Sequence, residues 1–420
     1  MTRNIQRRRL LLGAAAVAAG AAGTALWRFW PEQGFTNPCR AQLPPDLAQH
    51  EVVRAAWEAI DPAQVWDCHA HLVGTGDSGG GAVVSERMQS PLSPLLLARF
   101  LFYLNAGCVH DAQGRVDEAY VERMRELVDG MAPGFKAVLF AFEAHVGADG
   151  AVDWERTSFH VPDRYAAAVA KRHPRHFEWA ASIHPYRPDA LARLEQAARD
   201  GAQAVKWLPA AMGIDPASPR CDPFYEALVR LDLPLISHAG HEAAVAVGEL
   251  QPLNNPLKLR RPLDHGVRVV VAHCASLGED RDLDRGSDGP PIPSFALFAR
   301  LMDEPRYARR LFGDLSAMTQ RNRAGAVLRA VIERTDWHPR LLNGSDYPLP
   351  GVMPIFSLDG LAAQGFVTPA VAEVLKRVRE HNPLLFDFVL KRHLASGGKR
   401  LPPAVFETRR FFDRTAAPRE

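Results

Sequence analysis

The segment Asp67-Cys68-His69-Ala70-His71 carries two histidines separated by one residue, at the end of a short apolar run. Because alternate side chains of a β-strand share a face, His69 and His71 are expected to point the same way and Cys68 the other way. Two imidazoles on one face at the tip of a strand can bind a single metal ion. The alternative is a pair of surface or core histidines, and the remaining ligands decide between the two interpretations.

Further polar residues lie at the carboxyl ends of other apolar runs. If these runs are parallel strands of one barrel, their carboxyl ends meet at the same opening, the mouth of the barrel. Including the first pair, the set that we consider for the site is His69, His71, Lys206, His238, His273 and Asp346. Three other runs end instead in Glu143 or His145, in His184 and in Ser316. A single histidine of this kind could be a core residue or a helix cap. Four histidines and an aspartate at the ends of the runs favour a common metal centre.

The elements that must position these residues are eight strand-like runs alternating with helix-period segments over residues 63–350. The runs are Gln64–His71, Lys136–Phe142, Phe177–His184, Ala202–Leu208, Leu233–His238, Val267–His273, Leu311–Ser316 and Arg340–Asp346. This alternation predicts an α/β fold of parallel βα units, and eight of them fit a (β/α)8 TIM barrel. An open doubly wound sheet is the competitor, but it does not need eight repeats, and the sequence has no Gly-x-Gly-x-x-Gly turn.

Two segments outside the repeats also carry predictions. The longest loop, Val73–Pro94, precedes an apolar helix at Leu95–Leu104, and we expect this region to form a lid or pocket wall because long loops at the strand tips bind substrates. Thr368–Leu394 is predicted to be a C-terminal helical extension with a break at Pro383. We take the barrel domain as residues 63–395 and residues 396–420 as a C-terminal tail.

The motifs at the strand tips resemble those of the amidohydrolase superfamily, and most closely its amidohydrolase-related (type 2) family. They are Asp-x-His-x-His, Ser-His-Ala-Gly-His-Glu, Ala-His-Cys-Ala-Ser and Gly-Ser-Asp-Tyr-Pro, with Asn382–Phe386 similar to the closing segment. The resemblance spans residues 64–390. It implies a metal-dependent TIM-barrel enzyme, but not one reaction, because the family contains hydrolases, decarboxylases and hydratases.

Carried over residue by residue, the resemblance implies that His69, His71, His238 and Asp346 bind the metal. Imidazole and carboxylate donors suit Zn²⁺, with Mn²⁺, Fe²⁺ or Co²⁺ as alternatives. Metal binding lowers the pKa of water to about 7. Asp346 would then act as general base and afterwards as general acid. His273 would either bind a second metal or hold the polarised oxygen of the substrate.

Lys206 has two interpretations. The two-metal enzymes of the superfamily use a carboxylated lysine at this place as a bridging ligand; the other reading is a plain ammonium that binds a substrate carboxylate or pairs with Asp346. Asp67 suits a residue that orients the metal ligands from one step deeper. Glu242 is expected to line the pocket or be solvated, and Arg187 to meet an anionic substrate or to form a surface ion pair.

Residues 1–30 differ from the rest of the chain. Arg7-Arg8-Arg9 precede the uncharged stretch Leu10–Trp27, which Arg28 closes. This pattern predicts an export signal resembling a twin-arginine signal, or a retained membrane anchor; the alternative is a buried Ala-rich helix. The arginines keep the N-terminus cytoplasmic, so the body would lie in the periplasm or be anchored facing it. Residues 31–62 are predicted to be a linker with a short helix.

Composition excludes some partners and sites. The formal net charge is only +2, and no basic stripe is interleaved with aromatic residues, so nucleic acid is not an expected partner. The five cysteines are odd in number and lack a Cys-x-x-Cys pair, which argues against a disulfide scaffold or a thiolate zinc site. Cys68 and Cys274 are interpreted as small buried hydrophobic residues that face away from the metal.

These observations favour an exported metal-dependent hydrolase that acts on a small molecule with an amide, lactone or ester bond. The alternative is a metal-dependent decarboxylase or other lyase on the same fold. A non-catalytic exported binding protein is the third hypothesis, and the complete ligand set weighs against it. No apolar stripe in the sequence indicates an oligomeric state.

Overall fold

A computed structural model describes residues 31–40 and 42–413, which form a mixed α/β fold. Within these residues, eight parallel strands alternate with helices. The strands are β1 Trp66–His71, β2 Lys136–Phe140, β3 Phe177–Ala180, β4 Val205–Trp207, β5 Leu235–His238, β6 Val269–Ala272, β7 Leu311–Asp314 and β8 Leu341–Leu342. Each lies inside one of the eight predicted runs, so the predicted number, order and type of the strands are confirmed.

The eight strands close into a ring. Strands β1 to β3 pair in one parallel set and β4 to β8 in a second. A parallel bridge between Ala181 and Val205 joins β3 to β4, and a second between Ala70 and Tyr347 joins β1 to the segment that follows β8. In a closed parallel barrel, the carboxyl ends of all the strands meet at one mouth. The ring therefore brings together tips that are nearly three hundred positions apart in sequence.

Helices surround the ring and extend it at both chain ends. They are α1 Pro45–Ala48, α2 Glu51–Ala55, α3 Glu86–Gln89, α4 Pro94–Ala106, α5 Val116–Asp129, α6 Asp163–Arg172, α7 Ala190–Arg199, α8 Pro209–Met212, α9 Asp222–Arg230, α10 Arg260–Asp264, α11 Ser294–Met302, α12 Ala326–Glu333, α13 Leu358–Ala363, α14 Pro369–His381, α15 Pro383–His393 and α16 Arg409–Phe412. The apolar stripe of α5 shows why these segments are helical, because Val121, Met124, Leu127 and Val128 recur at helical spacing and are all buried.

Short antiparallel pairs complete the secondary structure. They join Val83–Val84 to Phe159–His160, Glu279–Arg281 to Pro291–Pro293, and Ala395–Ser396 to Lys399–Arg400. The predicted break in the C-terminal extension falls between α14 and α15. There the Asn382 side chain accepts a hydrogen bond from the Leu385 amide at 3.0 Å, and Pro383 occupies the first helical position.

The barrel has two separate apolar regions. The larger packs the outer face of the strands against the helices. The smaller fills the inside of the ring, and we call it the inner core; its members are Trp66, Cys68, Val138, Phe140, Ala180, Ala204, Ile236, Val270, Leu342 and Phe412. Phe412 belongs to α16, and its ring stacks on Trp66 with centroids 5.8 Å apart. Helix α16, which lies in the segment predicted as a tail, thus closes the amino-terminal end of the barrel.

Residues 31–62 also pack against the barrel. Cys39 forms a disulfide with Cys108, which follows α4, and the Asn37 amide donates to Asn105 Oδ1 at 2.7 Å. The cysteine count alone did not indicate this pair. The three other cysteines are free and buried, namely Cys68, Cys221 and Cys274.

The predicted export signal at residues 1–30 lies outside the described residues. Among the helices of residues 31–40 and 42–413, none is both long enough and apolar enough to cross a bilayer.

Candidate metal centre and pocket

Asp346 lies at the centre of a group of histidines at the barrel mouth. Its Oδ1 is 3.3 Å from His69 Nε2 and 3.2 Å from His71 Nε2, and its Oδ2 is 3.8 Å from His273 Nε2. These side chains come from the tips of β1, β6 and β8 and are buried or nearly so. The convergence predicted from the sequence is therefore present for these four residues.

The backbone at the mouth is shaped to hold this group. Strand β1 shifts register against β2 between Asp67 and Ala70, so strict alternation does not hold there. His273 and Asp346 have φ values of 55° and 63°, in the left-handed region that only glycine adopts easily. Conformations of this kind cost on the order of 1–3 kcal/mol each and are concentrated at functional sites. The Asp346 amide donates to the His69 carbonyl at 2.8 Å, and this hydrogen bond fixes the backbone conformation of Asp346.

Close approach of β8 to β1 requires a glycine at position 344. A Cβ atom added to Gly344 would lie 2.6 Å from the Cβ of His69. Any side chain there would push the two strands apart and separate Asp346 from the histidines of β1.

The carboxylate that orients His69 is Asp314 on β7, a residue that was not among the predicted site residues. The Nδ1–H of His69 donates to Asp314 Oδ2 at 2.8 Å, and the Nδ1–H of His273 donates to the Ser316 carbonyl at 3.0 Å. Both rings therefore direct the lone pair of Nε2 towards Asp346. Asp314 also accepts hydrogen bonds from the His273 amide, at 3.0 Å, and from the Ser316 hydroxyl.

Asp67 positions the predicted ligands through their backbone and not through the imidazole of His69. Its Oδ1 accepts from the backbone amides of His69, at 3.1 Å, and Ser345, at 2.8 Å. It ties the tip of β1 to the segment that carries Asp346, whereas the imidazole of His69 is held by Asp314. Burial raises the pKa of Asp67 to about 6, although the hydrogen bonds from Ser345 oppose that rise.

Protonation states at the mouth suit a cation. Burial lowers the pKa of His69 and His273, and it lowers that of His238 to about 4, so these rings are neutral near pH 7. Burial acts to raise the pKa of Asp346, but His273, His69 and His71 outweigh it and hold that pKa well below its usual range. Neutral imidazoles beside an ionised carboxylate are the states that metal binding requires.

Two groups of three side chains within the described residues have ligand atoms no more than 4.8 Å apart. One is His69, His71 and Asp346, and the other is His69, His273 and Asp314. The first group contains three of the four metal ligands implied by the resemblance. Its donor set of two imidazoles and a carboxylate fits a divalent transition metal.

The fourth expected ligand, His238, stands on the neighbouring wall and belongs to neither group. Its ring centroid is 5.4 Å from that of His273. Its Nε2 is buried without a hydrogen-bond partner and lies 3.5 Å from Glu242 Oε2. A buried ring nitrogen without a partner is unfavourable, and a bound cation would use it. Glu242 lines the pocket, which is the first of the two positions expected for it.

Lys206 lies on the inner face of β4 and is fully buried. Its Nζ is 3.4 Å from His69 Nε2 and 5.1 Å from the centre of the Phe140 ring. Burial lowers the pKa of Lys206, although Asp314 and Asp346 oppose that shift. The lysine therefore borders the centre, directly above the inner core.

The tips of β2 and β3 serve the barrel wall instead. Glu143 Oε2 accepts from Arg193 Nη1 at 2.6 Å, and Arg187 Nε and Nη2 lie 2.8 Å and 3.0 Å from the Asp189 carboxylate. Arg187 thus forms a surface ion pair, which was the second of the two roles expected for it. His145 and His184 make their hydrogen bonds to backbone groups.

A cavity of about 290 Å³ opens above the centre and is lined mainly by apolar side chains. Helix α4 contributes Phe100 and Tyr103, and the segment before it contributes Val84 from a short strand and Met88 from α3. The predicted lid or pocket wall is therefore present. A concave apolar pocket with a few convergent polar groups is the usual form of a small-molecule site.

Comparison with known proteins gives a family. The sequence model of the family described as Amidohydrolase matches residues 66–386, about three quarters of the chain. None of the curated protein sequences matches the chain.

Solved structures give weaker likenesses. An uncharacterised TIM-barrel protein from Bordetella bronchiseptica is 16% identical, with a TM-score of 0.46, over 74% of this chain and 98% of that one. A 4-oxalomesaconate hydratase from Rhodopseudomonas palustris is 16% identical, with a TM-score of 0.39, over 74% and 92%. A 5-carboxyvanillate decarboxylase from Novosphingobium aromaticivorans, complexed with manganese, is 13% identical, with a TM-score of 0.40, over 83% and 94%.

Proposed function

The chain belongs to the amidohydrolase family, a family of metal-dependent enzymes, and we propose that it hydrolyses an amide, lactone or ester bond in a small molecule. The observation that carries the proposal is the Asp346 carboxylate, whose Oδ1 lies 3.3 Å and 3.2 Å from two histidine Nε2 atoms at the floor of an apolar pocket. A carboxylate in that position can both bind a metal and handle a proton.

Each residue at the mouth has a part in the proposed reaction. His69, His71 and Asp346 would hold one divalent metal, with His238 as a further ligand. Bound there, the metal lowers the pKa of water to about 7 and polarises the carbonyl oxygen of the substrate. Asp346 takes the proton of the attacking water and delivers it to the leaving group. His273 Nε2, 3.8 Å from Asp346 Oδ2, presents a lone pair to the same space, so it would bind a metal ion or accept a hydrogen bond from an N–H or O–H group of the substrate.

The identity and number of the metals form a separate part of the proposal. We propose one Zn²⁺, because its ligand preference matches this donor set. A second ion would need Lys206 carboxylated and His273 or Asp314 as ligands. Elemental analysis of protein purified from cells gives zero, one or two equivalents. Mass spectrometry of the intact protein under native conditions tests for an added carboxyl group on Lys206.

The experiment that tests hydrolysis uses metal-replete protein on panels of esters, lactones and amides. Hydrolysis of at least one class, lost on treatment with a chelator and restored by the metal, is expected. Protein with full metal occupancy that cleaves nothing in the three panels would contradict the proposal.

The lyase alternative uses the same ligands and differs in its products. Reactions run in ¹⁸O-labelled water separate the two, because hydrolysis incorporates the label into the product. Release of carbon dioxide without incorporation identifies a decarboxylase instead. A protein that binds the compounds and converts none of them would be the non-catalytic binding protein.

We further propose that the protein is exported before it acts. The sequence pattern of Arg7-Arg8-Arg9 followed by Leu10–Trp27 supports this, and so does the Cys39–Cys108 disulfide, since disulfides persist in oxidising compartments. Cell fractionation should recover the wild-type protein in the periplasm or its membrane. Replacing the two arginines Arg7 and Arg8 by lysine should retain it in the cytoplasm if the twin-arginine route is used. Periplasmic recovery of that variant would contradict the route.

A further inference from the structure

The pocket contains a buried guanidinium that the proposed reaction does not use. Arg323 follows β7 and lines the pocket with only 8% of its surface exposed. Its Nη1 donates to Ser276 Oγ at 2.9 Å, whereas its Nε is buried without a hydrogen-bond partner. A buried donor left unpaired is unfavourable, and more so when it is charged. A group of this kind in a pocket points to a missing acceptor.

A second unpaired donor lies on the same turn. The Nε2 of Gln320 is also buried without a partner, and Gln320 lines the same pocket. The Arg323 amide donates to the Gln320 carbonyl at 2.9 Å, which makes the segment a tight turn. Both side chains line the pocket, so one ligand there can meet the two donors together.

The acidic groups nearest to Arg323 are engaged elsewhere. Asp346 faces the histidines of β1, Asp314 is bonded to His69, and Glu242 accepts from the amides of Ala244 and Val245. Among the described residues, no carboxylate lies within 4.0 Å of the guanidinium of Arg323. Its positive charge is therefore available to a ligand, in a cavity whose other walls are mainly apolar.

We propose that Arg323 and Gln320 bind the carboxylate of the substrate, whose apolar body fills the pocket and whose scissile bond lies at Asp346. A planar carboxylate can accept hydrogen bonds from a guanidinium and an adjacent amide at once. The substrate class is therefore an apolar ester, lactone or amide that carries a separate carboxylate. The assignment of the scissile bond rests on the proposed function, whereas the carboxylate site does not.

The pocket offers two other cations that could bind the carboxylate. Arg99 on α4 is half-buried at the wall, and Lys206 lies beside the metal centre. Neither stands beside an unpaired amide donor as Arg323 does. Substitutions of the arginines separate the three sites, because only the cation that holds the carboxylate confers a preference for charged over uncharged ligands.

Direct binding tests the site without turnover. The probes are 2-naphthoate and the uncharged 2-naphthamide, titrated by calorimetry into the protein as purified, with its metal content measured. Naphthoate is expected to bind at least about tenfold more tightly than the amide, the usual effect of one charged hydrogen bond. Arg323→Met should abolish this preference, and Gln320→Leu should weaken it about three- to tenfold.

Matched controls come from the same turn and from the pocket wall. Arg321 is two residues away, but its Nε donates to the Phe356 carbonyl at 3.2 Å, so Arg321→Met should keep the preference. Arg99→Met should keep it as well. Arg323→Lys retains the charge without the fork, and it should retain part of the preference even if Arg323→Met is unstable.

Several outcomes would overturn the proposal. Equal affinity for the two probes in the wild type removes its basis. If Arg99→Met lost the preference, the carboxylate would bind Arg99 at the pocket wall. If Arg323→Met kept the preference, the carboxylate would bind Lys206 or the metal. The proposed function fails separately, because a naphthoate preference that depends on Arg323 can exist in a protein that hydrolyses none of the panels. Conversely, hydrolysis without any preference for carboxylated substrates leaves the function standing and removes the carboxylate site.

Discussion

The two ends of the barrel interior are built by the same eight strands but are filled in opposite ways. At the carboxyl end, the buried side chains are charged or polar, and Asp346 and His273 hold left-handed backbone conformations. At the amino end, the inner core is apolar and Phe412 closes it. Phe140 lies at the boundary, with its ring 4.7 Å from the ring of His69.

This difference separates stability from chemistry along the barrel axis. Burying charged groups and holding unusual backbone conformations is unfavourable, whereas burying large apolar side chains is favourable. The amino end therefore stabilises the ring on which the carboxyl end is assembled. Substitutions at the carboxyl end should change activity or metal binding more than stability, and substitutions at the amino end should do the reverse.

The largest expected effect is that of Asp346→Asn. The amide keeps the size of the side chain but removes the charge that binds the metal and the group that carries the proton. We expect kcat to fall by a factor on the order of 10³ or more, with the fold retained. Turnover of a substrate from the panels, with circular dichroism as a fold check, measures this. The control is Asp359→Asn on the surface, which should leave kcat unchanged; near-normal turnover by Asp346→Asn would refute the mechanism.

The strongest test at the opposite end is Phe412→Ala. Removing a buried aromatic ring leaves a cavity, and the free energy of unfolding should fall by about 3–5 kcal/mol. Chemical denaturation measures that loss, and kcat per folded molecule at low temperature should stay within about twofold of the wild type because the mouth is untouched. Leu191→Ala on the exposed face of α7 is the control, with a change within about 0.5 kcal/mol. A large loss of kcat with little loss of stability would contradict the separation of the two ends.

A smaller effect distinguishes the two aspartates beside the histidine pair. Asp314→Asn weakens the hydrogen bond that orients His69, so metal affinity should fall about 10- to 100-fold, as measured by competition with a chelating dye. Asp67→Asn can still accept from the amides of His69 and Ser345, and its metal affinity should stay within about threefold of the wild type. The reverse ranking would show that Asp67 is the residue that orients the metal ligands, as the sequence alone suggested.

Much of the barrel was predictable because its signals are local. Buried parallel strands are apolar throughout, and eight such runs separated by helical periods leave few alternatives. The same logic located His69, His71, His273 and Asp346 at one mouth, since each ends a run. The family model matches residues 66–386, a range that includes the motifs at these strand tips.

The parts that were not predictable depend on contacts distant in sequence. Asp314 lies two residues before the end of its run, where Ser316 looked like the tip, and only the folded ring shows it beside His69. The Cys39–Cys108 pair spans 69 positions, and no spacing rule connects two such cysteines. Arg323 and Gln320 lie on a polar turn, and their significance comes from burial that sequence does not report.

The register shift in β1 is the other feature that periodicity could not show, and its consequence falls on Cys68. Strict alternation would have turned this thiol away from the histidine side and into the outer wall. Instead Cys68 belongs to the inner core, next in sequence to His69. It is buried, as predicted, but it lies inside the ring and not outside it. Cys68, like Phe140, therefore lies where the two ends of the barrel meet.

The smallest predicted effect tests that boundary. Cys68→Ala removes one buried sulfur atom, and we expect the free energy of unfolding to fall by about 1 kcal/mol. Metal content and kcat should stay within about twofold of the wild type, because Cys68 belongs to neither group of candidate ligands. Cys221→Ala, at a buried thiol that neither lines the pocket nor belongs to a group of candidate ligands, is the matched control and should lose a similar amount of stability. If Cys68→Ala alone lost metal or turnover, the chemistry would reach below His69 into the inner core, and the boundary between the two ends would lie deeper than Cys68.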